Sequence, residues 1–481
     1  MVMFNTFQDI IDTLPQSESF SLPTFKKNPL KIEFTKDSTE TGQRVVTSYD
    51  GHGPILPFAG SEVYHASISC WRRLTAVEGD CKAVYEITFH VEGSEFIFKA
   101  GDTIGVIPHN DESDVDLIIS HLNLDSTADL PYTLTLDNSV KGSKIPPHVP
   151  VKSTVRHVLT HCVDLRSLLK KAFLLALSKY TKNNKERKLL EYLCSKEGSA
   201  LYSTHILDKN LCILDIFTIF KSCKPPVEVI LANLPRLFPR PYSIVNSGLK
   251  DTRVIRICIS VMTMTSNNRK GLTTGWLENL ILNEDFSLEN GIKNLSISSN
   301  SNFAKEKIPI YIRKNVSMFC LPASLETPLI LIGPGTGVSP FIGFLEERES
   351  LKKTNPDTKL GEVWLFFGCR NPKLDFIYEE ELNGFLLRGT LNKLFSAFSR
   401  VEDHETKYIQ DAITKNGKQV TRLINDGAAV FICGDLKTMA AEIKEILINC
   451  FVDHDNMSVN ETQNKISQMQ KEKRYIVDAW S

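Results

Sequence analysis

The chain has 481 residues, a length that allows two or three domains and a large buried core. Hydrophobic residues make up 42% of it and charged residues 23%, as is usual for a globular protein that is not embedded in a membrane. The formal net charge of −1 gives no bulk attraction to nucleic acid or to an anionic membrane. Its apolar runs are too short to span a bilayer and its first residues lack a signal-peptide pattern. We therefore expect no membrane, no nucleic acid and a cytoplasmic location.

The eleven cysteines are spread along the chain without a compact spacing pattern. They form no CxxC pair and no Cys/His cluster with the spacing of metal ligands, so no metal site is predicted. Reducing compartments keep such cysteines unpaired, and free thiols are therefore the expected state.

The predicted elements begin with a linker or lead-in over residues 1–60, which are rich in Ser, Thr, Pro and Lys. Strands follow at Val63–Ala76, Val84–Val91 and within Phe96–Pro108, where glycines and a proline punctuate them as in small β-barrels. Residues 109–225 are predicted to be mainly helical, because segments such as Asp164–Thr181 carry apolar residues at three- and four-residue spacing.

The second half of the chain returns to strands near Val227, for example at Val254–Val261. Its last 150 residues alternate strands with helices, which implies a parallel sheet wrapped by helices. The predicted fold therefore combines β and α/β parts. An antiparallel barrel comprises residues 61–108 and 226–324, a helical connecting insertion comprises 109–225, and a parallel-sheet α/β domain comprises 325–481.

The most informative motif is Arg240-Pro241-Tyr242-Ser243, which is predicted to be a short strand. Side chains alternate between the faces of a strand, so Arg240 and Tyr242 share one side and Ser243 takes the other. A cation suits a phosphate, a flat ring suits stacking and a hydroxyl suits a polar ring edge. A flavin dinucleotide needs these three contacts, whereas an edge strand whose prolines block pairing is the alternative interpretation.

A second motif, Lys270-Gly271-Leu272-Thr273-Thr274, precedes a short apolar helix. Either threonine can cap that helix while free backbone N–H groups face an anion, as in a pyrophosphate clamp. An ordinary capped helix is the alternative interpretation of these residues by themselves.

A third motif, Gly333-Pro334-Gly335-Thr336-Gly337, follows a buried apolar strand. The glycines allow the backbone to approach a phosphate closely, and Ser339 and Pro340 suit the N-cap and the first helical position. The motif resembles a dinucleotide-binding turn, although it is not GxGxxG. Its position between a strand and a helix favours a nucleotide site over a bare turn.

Polar residues follow the later strands of the same predicted sheet. Arg370 ends one strand, Ser399-Arg400 ends the next, and Lys407-Tyr408-Ile409-Gln410 comes after it. Ligands bind at the carboxyl edge of such sheets. A hydroxyl, a guanidinium and an ammonium suit the 2′-phosphate of NADPH, and Tyr408 suits stacking on adenine.

Together and in this order, the motifs resemble the reductase module of the diflavin oxidoreductases, a ferredoxin-NADP⁺ reductase-like family. The resemblance runs from about Val63 to Ser481 and includes Gly-Cys-Arg, Cys-Gly-Asp and the terminal Trp-Ser. Within the family, the chain is most similar to the methionine synthase reductase branch. That similarity is carried by Ser195-Lys196-Glu197, Thr-Gly-Trp-Leu, Trp-Leu-Phe-Phe-Gly-Cys-Arg and a lysine directly before Tyr408.

The resemblance implies which residues bind the two cofactors and surround the reaction. FAD would be held by Arg240, Pro241, Tyr242, Ser243, Gly271, Leu272, Thr273 and Thr274, with Trp480 covering the flavin face opposite Tyr242. NADPH would be held by Arg72, Gly335, Thr336, Arg370, Ser399, Arg400, Lys407, Tyr408, Ile409, Gln410 and Glu442. The catalytic residues would be Ser243, Cys433 and Asp478, which share hydrogen bonds, and Trp480, which must move before hydride transfer. By themselves, a buried cysteine and a terminal tryptophan more often serve packing.

The resemblance also implies an NADPH-dependent FAD oxidoreductase that supports methionine and homocysteine metabolism. Electrons would pass through an FMN-carrying, flavodoxin-like domain or partner to cobalamin-dependent methionine synthase. Relatives normally carry that domain at the N-terminus, but residues 1–60 contain no phosphate loop for FMN, so we expect FMN only on a separate domain or partner. Either a separate FMN protein receives the electrons, or this sequence is a truncated form. Two alternatives stay open: a haem protein or iron–sulfur assembly factor as acceptor, and a non-catalytic scaffold.

Overall fold

In the computed structural model the chain folds into two compact units. The structure describes residues 7, 10, 20–35, 56–137, 139–140, 144–264, 268–283, 306–402, 404–435 and 437–480. One unit comprises Met1–Leu56, Pro108–Pro239 and Thr263–Trp276, and the other comprises Pro57–Ile107, Arg240–Met262 and Leu277–Ser481. The predicted linker over residues 1–60 lies largely outside the described residues, and the predicted domain limits stay a prediction.

The described residues form strands and helices that are numbered in chain order. The strands are β1 (Leu30–Phe34), β2 (Tyr64–Arg73), β3 (Val84–His90), β4 (Thr103–Val106), β5 (Pro131–Leu136), β6 (Lys152–Thr154), β7 (Arg240–Ser243), β8 (Val254–Ser260), β9 (Ile308–Arg313), β10 (Leu329–Ile332), β11 (Val363–Cys369), β12 (Lys393–Phe398), β13 (Ala429–Asp435) and β14 (Tyr475–Trp480). The helices are α1 (Glu112–His121), α2 (Val155–His161), α3 (Lys171–Ser178), α4 (Asn184–Cys194), α5 (Ser199–Tyr202), α6 (Ile213–Ile219), α7 (Val227–Asn233), α8 (Leu272–Asn283), α9 (Ser339–Thr354), α10 (Pro372–Asp375), α11 (Glu379–Leu387), α12 (Ile409–Lys415), α13 (Gly417–Asn425), α14 (Lys437–Asp455) and α15 (Val459–Lys471).

The first unit is mainly helical and has one apolar core. Its helices follow from amphipathic spacing: Leu189, Leu190 and Leu193 of α4 are buried, while the lysines of that helix lie outside the buried face. Asn183 caps α4 through its side chain, which accepts from the first-turn backbone N–H groups. A three-stranded antiparallel sheet in the order β1-β5-β6 completes this unit.

The second unit contains a six-stranded antiparallel sheet in the order β7-β4-β9-β2-β3-β8. A bridge between Ile244, directly after β7, and Ile257 of β8 joins the two outer strands, so the sheet closes into a barrel. Strand β8 alternates between buried isoleucines and less buried residues, as expected for a strand with one face toward a core.

A five-stranded parallel sheet in the order β12-β11-β10-β13-β14 completes the second unit. Strand β10 reads Leu-Ile-Leu-Ile and all four residues are buried, as expected for a central strand covered on both faces. The strand order reverses between β10 and β13, and ligands bind at the carboxyl edge of such a switch point. The predicted fold class, an antiparallel barrel with a helical insertion followed by a parallel α/β part, is confirmed.

Three observations limit the chemistry of the described part of the chain. None of its helices is both long enough and apolar enough to cross a membrane. Its His, Cys, Asp and Glu side chains form no group of three or more that could hold a metal ion. All eleven cysteines are free thiols and six of them are buried, where a thiol packs as a small apolar group.

Candidate active site

Strand β7 carries the Arg-Pro-Tyr-Ser motif and pairs with β4, with Tyr242 opposite Ile104 and Pro241 opposite Gly105. The Ile244 N–H donates to the carbonyl of Asp102 at 2.9 Å, which fixes the alternation of bonded positions along the pair. At Pro241 a backbone N–H would point away from β4. The N–H that proline lacks therefore removes no hydrogen bond between β7 and β4. Burial raises the pKa of the Tyr242 phenol, and the nearby Arg240 opposes that rise only in part.

The Gly-Leu-Thr-Thr motif forms the start of α8. Because the helix begins at Leu272, both threonines lie inside its first turn, and the prediction that one of them caps the helix is wrong. Thr273 is 3% exposed, and its buried Oγ1 has no hydrogen-bond partner among the described residues. A buried hydroxyl without a partner costs about 1–3 kcal/mol. At the start of a helix, where backbone N–H groups and the helix dipole favour an anion, this hydroxyl fits a phosphate-bearing cofactor.

Two arginines that the sequence did not single out hold the turn before α8. Arg269 donates two hydrogen bonds of 3.0 Å to the carboxylate of Asp215. Arg166 donates to the carbonyl oxygen of Lys270 at 2.9 Å. Burial alone would raise the pKa of Asp215, but its bonds to Arg269 and to the Cys212 backbone outweigh burial and lower the pKa. The turn is therefore anchored to the helical unit from two directions.

The Gly-Pro-Gly-Thr-Gly motif joins β10 to α9 through a tight 3₁₀ turn over Gly335–Val338. A Cβ atom at Gly337 would lie 2.1 Å from the carbonyl oxygen of Cys433, whereas Gly335 has a φ of +54° and open space around it. The open space at Gly335 is a cradle that a side chain would fill, which fits a dinucleotide, whereas Gly337 lets the turn pack closely against β13. Ser339 is the first residue of α9 and donates to the Thr336 carbonyl at 2.6 Å, so its predicted N-cap role is wrong by one residue.

Arg370, Ser399 and Arg400 lie together at the carboxyl ends of β11 and β12. The Ser399 N–H donates to the Cys369 carbonyl at 3.0 Å and the Arg400 N–H donates to the Arg370 carbonyl at 2.8 Å. The Arg400 guanidinium, whose side chain is 50% exposed, forms an ion pair with the still more exposed Asp80. Asp80 was not predicted, since nothing near it in the sequence points to residue 400.

The Lys-Tyr-Ile-Gln segment leads into α12. Lys407 and Tyr408 are exposed, and the ring of Tyr408 is available for stacking. The side chain of Ile409 is buried in the core of the parallel sheet, so a ligand can reach only its backbone. Gln410 donates to the carboxylate of Glu442 at 2.8 Å, which brings two predicted NADPH residues together.

Arg72 lies on β2 and already has two acidic partners. Its Nε donates to Glu86 at 3.0 Å, and its guanidinium also pairs with Glu381. Burial alone would lower the pKa of Arg72, but these two carboxylates hold the pKa above its ordinary value. A contact between Arg72 and NADPH stays a prediction, and it would have to compete with both ion pairs.

Cys433 and Asp478 lie next to each other, because their strands β13 and β14 pair in parallel with these residues in register. Burial raises the pKa of the Cys433 thiol well above its ordinary value, and the neighbouring Asp478 raises it further. Burial also raises the pKa of Asp478, while the Arg313 guanidinium opposes that rise. The thiol therefore stays protonated at neutral pH, and the carboxyl holds its proton more readily than an exposed aspartate.

Ser243 and Arg313 lie in one row of residues that crosses three neighbouring strands of the barrel, β7, β4 and β9. Thr103 of β4 lies opposite Ser243 of β7 on one side and opposite Arg313 of β9 on the other. The electrostatic effect of Arg313 on Asp478 connects this row to the edge of the parallel sheet. Arg313 was not predicted, although an arginine that ends the apolar strand Ile-Pro-Ile-Tyr-Ile is a usable signal. Trp480 pairs through its backbone with Asp435, and its side chain is outside the part that the structure describes.

Two family models match the chain. A model described as an FAD binding domain matches residues 56–276, and one described as an oxidoreductase NAD-binding domain matches residues 331–445. Methionine synthase reductase of Rattus norvegicus is 37% identical over 96% of this chain and 67% of the relative. Methionine synthase reductase of Homo sapiens is 34% identical over 96% and 66%, respectively. NADPH–cytochrome P450 reductase of Drosophila melanogaster is 33% identical over 88% and 59%.

The chain spans about two thirds of the length of the methionine synthase reductases of rat and human, which are 67% and 66% covered. The matched domains confirm the predicted oxidoreductase class and the predicted cofactors, FAD and NADP(H). The roles assigned to individual side chains stay predictions. With these domains and with relatives matched over nearly its whole length, the chain belongs to the methionine synthase reductase family of the diflavin oxidoreductases.

Proposed function

We propose that this chain is a cytosolic NADPH-dependent FAD oxidoreductase whose electrons reach cobalamin-bound methionine synthase through an FMN-carrying domain or partner. The observation that carries the proposal is the grouping of Gly337, Cys433 and Asp478 at the carboxyl edge of the parallel sheet. A glycine cradle, a protonated thiol and a carboxyl of raised pKa suit a nicotinamide nucleotide at a switch point. The eleven free thiols agree with a reducing compartment.

The redox chemistry of the reaction would come from FAD, which takes up a hydride from NADPH and releases single electrons when bound. The chain's own residues would bind and orient the two cofactors and exclude water from the site. Cys433 is fully buried and keeps water from the edge of the sheet, and its thiol can donate a hydrogen bond. Asp478 can hold a proton or accept that bond, and Arg313 limits how far its pKa rises. Ser243 adds a half-buried hydroxyl on β7.

Coenzyme choice would depend on the cations at the ends of β11 and β12. Arg400 and Lys407 supply positive charge, and Ser399 supplies a hydroxyl, for the 2′-phosphate that distinguishes NADPH from NADH. Tyr408 offers its exposed ring to the adenine. Replacing both Arg400 and Lys407 with alanine should weaken NADPH much more than NADH, whereas an equal loss would show that the phosphate binds elsewhere.

The proposal is tested with the purified chain after reconstitution with FAD. It should be yellow and should reduce ferricyanide with NADPH. Ser243→Ala should lose most of this turnover while keeping FAD, and Ser317→Ala, which removes an exposed hydroxyl of the same unit, should not. A colourless protein that retains no FAD would overturn the proposal, and normal turnover in Ser243→Ala would remove Ser243 from the site.

A second candidate acceptor is a haem protein, because a relative named NADPH–cytochrome P450 reductase is 33% identical to the chain. The two acceptors are compared by adding a flavodoxin-like FMN protein together with either cobalamin-bound methionine synthase or a haem acceptor. Reactivation of methionine synthase without haem reduction supports the main proposal, and the opposite result supports the alternative. Absence of NADPH turnover in an FAD-loaded protein would favour the non-catalytic scaffold.

A further inference from the structure

The helix α9 connects the nucleotide turn to the barrel. It begins directly after Gly335–Val338, and its residues Gly343, Glu346 and Glu347 lie three and four positions apart, on one face. At Gly343 a Cβ atom would lie 3.0 Å from the Val245 carbonyl oxygen, so the helix approaches the segment after β7 closely. Both glutamates are buried, at 7% and 9% exposure, although nothing in the reaction uses them.

Glu347 binds two elements of the barrel through a single oxygen. Its Oε2 accepts a hydrogen bond of 2.9 Å from the backbone N–H of Ala100 and one of 3.2 Å from the hydroxyl of Ser247. Both donors are neutral groups. With such donors, Glu347 holds the two segments through the geometry of its hydrogen bonds and not through an ion pair. Hydrogen bonds weaken steeply when they are misaligned, so this contact fixes the relative position of the segments.

Glu346 supports this contact with an ion pair network. Its Oε1 lies 2.7 Å from the Arg256 guanidinium and 2.9 Å from the Lys250 ammonium, and its Oε2 accepts from the Ser247 N–H at 3.3 Å. Burial alone would raise the pKa of Glu346, but Arg256 and Lys250 outweigh burial and lower the pKa. Glu346 is therefore ionised at neutral pH, and Ser247 is bound by both glutamates.

Ser247 lies on the same continuous segment as the flavin motif, four residues after Ser243. About two turns before Glu347, at the start of α9, the turn that contains Gly337 touches Cys433. A helix is a rigid element with a rise of about 1.5 Å per residue, so a shift at Glu347 displaces the turn relative to β7. The contact between α9 and residues 245–247 therefore links the two cofactor-binding segments.

We infer that Glu347, supported by Glu346, is a positioning residue that sets the distance and angle between the FAD strand and the NADPH turn. The inference rests on the proposed function, because it concerns hydride transfer at that site. Glu347 would not touch either cofactor. Its effect would appear in the hydride step and not in the binding of the coenzyme.

The test uses the full FAD-loaded chain and stopped-flow measurement of FAD reduction at saturating NADPH. In Glu347→Ala the rate should fall roughly 10-fold to 100-fold, because a displacement of about 1 Å can have an effect of that size. FAD content and the Kd for 2′,5′-ADP should stay near the wild-type values. NADPH deuterated at the transferred position should slow the variant, which identifies the hydride step. Glu347→Gln should react nearly as fast as wild type, since its amide oxygen can accept both bonds.

A matched control separates positioning from stability. Glu349 lies on the same helix but binds Arg388 and Thr390, both outside the barrel, at 2.6 and 2.9 Å. Both Glu349→Ala and Glu347→Ala should lower the melting temperature, but Glu349→Ala should not slow FAD reduction. If Glu347→Ala does not fold, Ser247→Ala decides the question, because it removes one of the two bonds to Glu347 and should slow the step less.

Three results would overturn the inference. These are a wild-type rate in folded Glu347→Ala, equal slowing in Glu347→Gln and Glu347→Ala, or no change in Ser247→Ala. A wild-type protein whose FAD is not reduced by NADPH would instead contradict the proposed function, so the two failures can be told apart.

Discussion

Gly337 lies where the nucleotide turn passes closest to the parallel sheet. A Cβ atom added there would lie 2.1 Å from the carbonyl oxygen of Cys433 and 2.8 Å from its carbonyl carbon, whereas ordinary contact begins at 3.4 Å. Both are backbone atoms, so no side chain can rotate away to make room. The Gly337→Ala variant must therefore separate the turn from β13 by about 1 Å or more, a displacement that can cost on the order of 100-fold in rate.

The measurement is the rate of FAD reduction by NADPH in stopped flow, with FAD content checked beforehand. Gly337→Ala should retain FAD, bind NADPH more weakly and reduce FAD about 100-fold more slowly. Gly389→Ala is the matched control, since Gly389, two residues after α11, has a φ of +73° but nothing within 4 Å of the added methyl. Backbone strain of about 1–2 kcal/mol is expected in the control, without displacement of the strand. A Gly337→Ala variant as fast as wild type, or a Gly389→Ala variant that is equally slow, would refute this reasoning.

Three further predictions concern cofactor retention and stability. Arg269→Ala should lose FAD on gel filtration because the turn before α8 loses an anchor, whereas Arg253→Ala, which breaks an exposed ion pair, should retain FAD. Burial, together with two neighbouring histidines, lowers the pKa of His161 to about 4. The free energy of unfolding should therefore fall as the pH drops from about 6.5 toward 4, by on the order of 2 kcal/mol, and His161→Phe should flatten this dependence in urea titrations. Arg348→Met should raise the melting temperature, because Arg348 is 1% exposed and, within the described residues, its side chain donates only to the Gly361 carbonyl.

Each of these predictions has a contradicting result. Retention of FAD by Arg269→Ala would mean that this anchor of the turn before α8 is not needed to hold the cofactor. A pH profile unchanged by the phenylalanine would assign the acid sensitivity to other groups. A lower melting temperature in Arg348→Met would show that the interactions of the buried guanidinium stabilise the fold by more than its desolvation costs.

Much of the fold follows from local patterns in the sequence. The alternating pattern of β8 and the apolar run of β10 predict the bounds of these strands to within a residue. The patterns are clear because β8 buries one face and β10 buries both. Where tertiary contacts decide, the local pattern fails. Residues 164–181 were predicted to be helical, but α3 begins only at Lys171, because the Asp164 N–H donates to the Pro235 carbonyl at 2.9 Å instead of entering a helix. Of the predicted strands in Phe96–Pro108, only Thr103–Val106 forms.

The candidate site shows the same contrast between residues that local patterns predict and residues that only tertiary contacts bring together. Motifs that are continuous in the chain, such as the glycine turn before α9, are visible in the sequence because a single turn contains all their chemistry. Asp80, Arg313 and Glu347 were missed, because their partners lie hundreds of residues away in the chain or on another sheet. Local pattern also does not reveal that the threonines of α8 lie inside the helix and not ahead of it.

The central claim is tested most directly by mixing the FAD-loaded chain anaerobically with NADPH or with NADH and following the absorbance of oxidised flavin. NADPH should bleach it rapidly. NADH should act about 10-fold to 100-fold less efficiently at equal low concentration, because it lacks the charged hydrogen bonds to Ser399, Arg400 and Lys407. Persistent absorbance of bound FAD in excess NADPH would contradict the account.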